Sequence, residues 1–172
     1  RVVTVATNHD VIAAVGISFR DLSLDHRPVE RLLVREYVYQ DEGAQPVYKV
    51  LRYDPKDFRQ QSYHDGRWTW GLNGSRMLIY RLPQVLAAAK MGRAIFVVEG
   101  EKDVEALEGQ GFVATCNAGG AGKWRNGYGE WLRGTATAFV IPDNDEPGRK
   151  HSEMVEHDLR GRGLHGRDAR GD

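Results

Sequence analysis

The sequence predicts an α/β fold, with a parallel sheet and right-handed crossovers in the carboxy-terminal half and a small β-rich region before it. Two observations predict it. Three apolar runs, at 94–98, 112–116 and 137–141, have the unbroken character of strands buried on both faces. Helical stretches at 102–110, 128–133 and about 147–159 alternate with them, so the rhythm is strand, helix, strand.

Residues 1–33 carry weak signals: Val11-Ile12-Ala13-Ala14-Val15 suits a short helix capped by Asn8 or Asp10, and equally a strand. From Tyr37 the pattern sharpens. Tyr37-Val38-Tyr39, a polar Asp41-Glu42-Gly43 turn, and the β-branched and aromatic run from Val47 to Tyr53 read as a hairpin. Further strands are expected at 68–70 and 77–80. Pro83 suits the first turn of a helix, and 84–90 is made of good helix formers ending before Gly92. The pattern changes near Pro83, which divides the chain into an irregular, β-rich region (1–83), an α/β domain (84–158) and a tail (159–172). The tail is rich in Gly and Arg, has no apolar run and reads as flexible.

At 172 residues the chain holds about one domain, and 41% hydrophobic with 28% charged residues is the composition of a folded protein. The formal net charge is zero, so a polyanionic partner has to be argued from local clusters. Cys116 is alone, which excludes an internal disulfide, and no Cys/His spacing suggests zinc. No stretch approaches the roughly 20 apolar residues that span a bilayer, and the start lacks a signal-peptide pattern, so no membrane partner and a cytoplasmic location are expected. A chain opening at Arg1 is expected to be part of a longer one.

In parallel α/β sheets, function gathers at the carboxyl ends of strands. Two acidic clusters fall there: Glu99-Gly100-Glu101-Lys102-Asp103 after the first run, and Pro142-Asp143-Asn144-Asp145-Glu146-Pro147-Gly148 after the third. Clustered carboxylates repel one another, and hard oxygen donors of this kind suit Mg²⁺ or Mn²⁺. Taken singly, a D-x-D is usually a solvated loop or helix cap, and an acid in a first helical turn, such as Asp103, is favoured by the helix dipole.

E-G-x-x-D after one apolar strand and D-x-D-x-x-G after another about forty residues later resemble the Toprim domain over 94 to about 158. The wording from Tyr53 to Gln60, with Trp70-Gly71-Leu72 and Ile79-Tyr80-Arg81-Leu82-Pro83, resembles the segment that precedes Toprim in phage- and plasmid-type DNA primases. The resemblance implies a Toprim-like, Rossmann-type parallel sheet and a Mg²⁺-dependent nucleotidyltransferase, Mn²⁺ substituting. It implies that Glu99 serves as general base or acid and touches metal. Asp143 and Asp145 hold the ion, and Asp103 matches a second acid whose role varies between members. It implies a single-stranded DNA template and nucleoside triphosphates as partners, with a replicative helicase as a candidate third. Two features depart from the family pattern. The expected fourth parallel strand has no apolar run, and neither the zinc-binding module nor a helicase segment occurs in these residues.

Gly100 and Gly148 are expected to let the backbone turn sharply beside phosphates. The loop Asn117-Ala118-Gly119-Gly120-Ala121-Gly122-Lys123-Trp124 fails as a Walker loop, having Asn117 and Trp124 where Gly and Ser or Thr are required. It is either a plain turn or, as the resemblance implies, a loop whose Gly119, Gly120 and Lys123 contact nucleic acid or nucleotide. Lys102, Arg149 and Lys150 are further candidates, although basic residues on a helix are usually solvated. The middle region, with Trp68, Trp70, Tyr63, Arg52, Arg59, Arg67, Arg76 and Arg81, is a candidate single-strand surface, or else its tryptophans fill a small β core. Alternatives to primer synthesis are Toprim-type cleavage of DNA by a nuclease or topoisomerase, and a non-catalytic DNA-binding or recombination-mediator module.

Overall fold

A computed structural model describes residues 31–164 and 166–168 of the chain; the undecided stretch at 11–15 lies outside them. Two four-stranded sheets result. The first holds β1 (Leu32–Gln40), β2 (Pro46–Asp54), β3 (Asp57–His64) and β4 (Arg67–Trp70) in that spatial order, with β2–β3 and β3–β4 antiparallel. The hairpin between β1 and β2 turns on Asp41, whose Oδ1 accepts the N–H groups of Gly43 and Gln45, both at 2.9 Å. Strand β3 was not expected. It turns into β4 through Asp65 and Gly66, both at positive φ as a two-residue hairpin turn requires.

α1 (Leu82–Lys90), β5 (Ile95–Val97), α2 (Glu101–Glu108), β6 (Ala114–Thr115), a 3₁₀ turn (Tyr128–Leu132), β7 (Ala138–Val140), α3 (Glu146–Arg160) and β8 (Gly166–Asp168) follow. β6, β5, β7 and β8 form a parallel sheet in that order, so the three apolar runs are its core strands, each shorter than its run. Strand β8 corrects the expectation of a wholly flexible tail. Ala138, Phe139 and Val140 pair with Gly166, Arg167 and Asp168. A three-residue strand at a sheet edge needs backbone pairing only, so it leaves no apolar run to read.

Residues 77–80 are not a strand of their own. Ile79 makes one antiparallel bridge with Asn117, while the Tyr80 amide donates to the Cys116 carbonyl and the Thr115 hydroxyl donates to the Tyr80 carbonyl. This buried segment fastens the end of β6 just before α1. A single hydrophobic core runs through both halves, from Tyr37, Tyr39, Tyr48 and Tyr80 to Ile95, Val140 and Leu159. Tyr39 stacks on Tyr48 at 4.4 Å between ring centroids and leans on Tyr80 at 5.2 Å. Across the same junction the Tyr39 hydroxyl donates to Glu101 Oε1 at 2.8 Å. Among the described residues no helix is long and apolar enough to cross a membrane.

Candidate active site

Glu99 and Asp143 meet because β5 and β7 are adjacent and parallel. Sheet pairing continues past both strands, with the Val98 amide donating to Thr115 and the Ile141 amide to Val97, each at 2.9 Å. Beyond that point the Asp143 backbone N–H donates to Glu99 Oε1 at 3.0 Å. Burial pushes the Glu99 carboxyl above its ordinary range, and the charges of Asp143, Asp145 and Asp103 push it further, against the opposing pull of the Asp143 amide. Two carboxylate residues thus meet at one sheet edge, with Asp103 and Asp145 near enough for their charges to act on Glu99.

Asp145 is the N-cap of α3, its Oδ1 accepting the Gly148 N–H at 2.7 Å, so the helix-cap reading of the D-x-D is true of its second member. Asp103 stands in the first turn of α2, where the dipole favours it. The two motif glycines work by space. Gly100 is an extended N-cap, and a Cβ on it would lie 3.3 Å from Asp103 Oδ2. A Cβ on Gly148 would lie 2.5 Å from the Asp143 carbonyl oxygen and press into the Glu99 carboxylate. Glycine there lets α3 start against the acidic pair, which corrects the expectation that the backbone turns sharply at these positions.

A cavity of about 540 Å³ opens between this edge and the antiparallel sheet. Glu99, Asp103, Asp143, Gly119 and Gly120 line one side; Val50, Lys56, Phe58 and Gln60 line the other. The glycine loop is shaped by Asn117, whose Nδ2 donates to the carbonyls of Ala118 and Gly120, and by the Gly122 N–H donating to His151 Nδ1 at 3.1 Å. Gly119, Gly120 and Gly122 all sit at positive φ, where glycine is needed. The buried Asn117 Oδ1 and His151 Nε2 have no hydrogen-bond partner among the described residues.

Of the basic candidates, Lys102 lines an adjoining cavity beside Asp103, and Lys123 lines another beside Gly119. Arg149 and Lys150 are exposed on the first turns of α3, and Lys150 is ion-paired with Glu146 at 2.6 Å. In the middle region, Arg59, Arg76 and Arg81 pair with Asp57, Glu42 and Glu108, Trp68 packs on Tyr63 under Lys49, and Trp70 is exposed. Sequence reasoning missed Lys56, Phe58, Glu101 and His151. The period-two placement of Phe58 and Gln60 on β3 was the one available signal for the cavity's far wall.

The donor set at the edge is all carboxylate oxygen, the chemistry of a hard divalent cation. Among the described residues no group of three or more His, Cys, Asp or Glu is placed to hold a metal ion.

No family model and no curated protein sequence matches the chain. Solved structures do match it. The primase fragment of the bacteriophage T7 primase-helicase protein superposes with a TM-score of 0.55 at 20% identity, over 76% of this chain and 51% of that one. The Aquifex aeolicus primase (zinc-binding and RNA polymerase domains) gives 0.59 at 18% identity, over 80% and 33%. A chain of the bacteriophage T7 lagging-strand DNA polymerase complex with primase domains, bound to an RNA/DNA hybrid and dTTP, gives 0.51 at 21% identity, over 78% and 63%. This chain therefore spans between a third and two thirds of the chains it matches. The described residues build a primase-type fold, with an acidic edge where β5 and β7 end.

Proposed function

We propose that this chain carries the catalytic centre of a DNA primase, a Toprim domain that joins ribonucleotides on a single-stranded DNA template by divalent-metal-dependent nucleotidyl transfer. The observation that carries the reading is the contact between Glu99 and Asp143 at the ends of adjacent parallel strands, beside a cavity of nucleotide size. Asp143, Asp145 and Glu99, with Asp103 at the margin, are the residues that would hold magnesium. When bound, the metal neutralises charge on the phosphate oxygens and favours ionisation of the attacking hydroxyl.

The remaining work falls to the chain. Glu99 Oε1 is held by the Asp143 amide, which leaves Oε2 to accept the proton of the attacking hydroxyl, and the raised affinity of this carboxyl for protons suits it to that task. Asp145 gives one oxygen to the helix cap and keeps the other for a ligand. Gly119 and Gly120 admit a phosphate close to the backbone, with Lys102 and Lys123 as flanking charges. Nucleoside triphosphates and the template strand are the partners of this site, and a replicative helicase is the partner suggested by the T7 primase-helicase neighbour.

The test is primer synthesis from labelled ribonucleotides on single-stranded DNA with Mg²⁺, comparing the wild-type chain with Glu99→Gln. Loss of product by about 10²- to 10⁴-fold, with an unchanged thermal melt, is expected for removal of a general base. Equal synthesis by the variant contradicts the reading, and Mg²⁺-dependent scission of labelled DNA in place of synthesis assigns the edge to a nuclease.

A further inference from the structure

On the face that α3 buries, His151 and Asp158 both reach into the glycine loop. They lie two turns apart, so they share that face with Val155 and Leu159. His151 Nδ1 accepts the Gly122 N–H at 3.1 Å, and the Asp158 carboxylate accepts the Trp124 indole N–H at 3.0 Å. Asn117 holds the loop at its start through the carbonyls of Ala118 and Gly120. Between these anchors stand Gly119 and Gly120, which line the cavity beside Glu99, and Lys123, whose Cγ would lie 3.4 Å from a β-carbon on Gly119. A gap of about 440 Å³ opens between Ala121 and Gly122 on one side and Glu146, Pro147 and Lys150 of α3 on the other. The loop therefore does not rest on the start of the helix, and the bond to His151 ties it down further along.

The ring suits a fixed acceptor. His151 is 3% exposed, and burial lowers its affinity for protons, which keeps the ring neutral at neutral pH. With Nδ1 accepting, the proton sits on Nε2, which has no hydrogen-bond partner among the described residues. A buried polar atom in that state costs stability, and an apolar residue would fill this stripe of α3 without the cost. Packing alone does not call for histidine there; the Nδ1 bond does.

We propose that His151 is a positioning residue: by accepting the Gly122 N–H it holds the glycine loop where Gly119 and Gly120 meet the phosphates of a nucleoside triphosphate. The same helix carries Asp145 at its cap and Gly148 against Glu99, so α3 sets the acidic edge and the phosphate-facing loop in one frame. The inference rests on the nucleotidyl-transfer reading for the identity of the loop's ligand. The His151 bond itself is measured without any reaction.

The experiment compares His151→Asn with His151→Gln in the full chain. Asparagine puts its Oδ1 where Nδ1 stands, whereas glutamine, nearer to histidine in size, carries its acceptor one bond further out. Filling the site favours glutamine; accepting from Gly122 favours asparagine. In amide hydrogen exchange read by NMR, Gly122 is expected to stay protected in His151→Asn and to exchange about tenfold faster in His151→Gln, with the amides of β5 and β7 unchanged in both. ATP titrated with Mg²⁺ is expected to bind His151→Gln about 5- to 10-fold more weakly than wild type, the loss of one hydrogen bond, and His151→Asn to restore the affinity. In primer synthesis the same loss is expected in KM for ribonucleotides, with kcat held within about twofold. Equal protection of Gly122 in the two variants, equal ATP affinity of His151→Gln and wild type, or a loss confined to kcat overturns the proposal, as does a wild type that binds no ATP. A wild type that binds ATP and makes no primers removes the primase reading and leaves the role of His151 standing.

Discussion

Gly148 abuts the Glu99 carboxylate and the Asp143 carbonyl so closely that the first turn of α3 has no room for a β-carbon. Helix, acidic pair and strand ends are therefore one packed unit. Gly148→Ala is expected to cost about 1–3 kcal/mol of stability, as overpacking a filled site does, and to displace Glu99. Urea unfolding measures the loss, and a variant as stable as wild type would show that the α3 start can shift freely.

Asp158 ties α3 to the segment before β7. Its carboxylate accepts from the Trp124 indole at 3.0 Å and the Gly129 amide at 2.8 Å, and pairs with Arg162 at 3.0 Å. Asp158→Ala leaves buried donors without acceptors, at about 1–3 kcal/mol for each donor that stays unsatisfied. Burial alone would raise this carboxyl, but the Gly129 amide, the indole, the Gly127 amide and Arg162 together hold it below the usual range. A depressed carboxylate binds fewer protons folded than unfolded. Its contribution is complete above an unfolded value of about 3.9 and is lost as pH falls through the folded one. Thermal melts from pH 7 to pH 2 should show a shallower acid limb in Asp158→Ala than in wild type; parallel limbs would refute the assignment.

Glu101 behaves in the opposite sense. Only 8% exposed, it is raised by burial, against the opposing pull of its own backbone amide and of the Tyr39 hydroxyl. The folded chain then binds more protons than the unfolded one above about pH 4.3, so stability declines as pH rises through the folded value and stays lower beyond it. Glu101→Gln keeps an acceptor for Tyr39 and removes the charge. In EDTA it is expected to melt higher than wild type at pH 8, with the gain shrinking toward pH 4. A variant that melts lower at pH 8 contradicts this balance.

The parallel half of the fold was legible because strands buried on both faces write themselves as apolar runs, at 94–98 and 137–141, with the acidic motifs directly after them. β3 was not, since Asp57–His64 is mostly polar and only the Asp65-Gly66 turn marks its end. β8 escaped for a related reason, being an edge strand with no side-chain signature. In the site, the two acidic clusters at 99–103 and 142–148 followed from the strand-end rule, and Glu99 and Asp143 were singled out within them by the family resemblance alone. Phe58 and Lys56 depended on how the antiparallel sheet faces the acidic edge, and the Tyr39–Glu101 bond spans 62 positions that no local pattern connects.

The most direct measurement is calorimetric titration of Mn²⁺ into the wild-type chain and into the Asp143→Asn, Asp145→Asn double variant, each with and without a nucleoside triphosphate. The account predicts saturable binding by wild type, tightened by the nucleotide through its phosphates, and reduced at least about tenfold in the variant, in line with the loss of metal-site groups. A folded wild type that takes up no Mn²⁺ in the presence of nucleotide, or a double variant that binds it equally well, would contradict the claim that the joined ends of β5 and β7 are a metal-dependent catalytic centre.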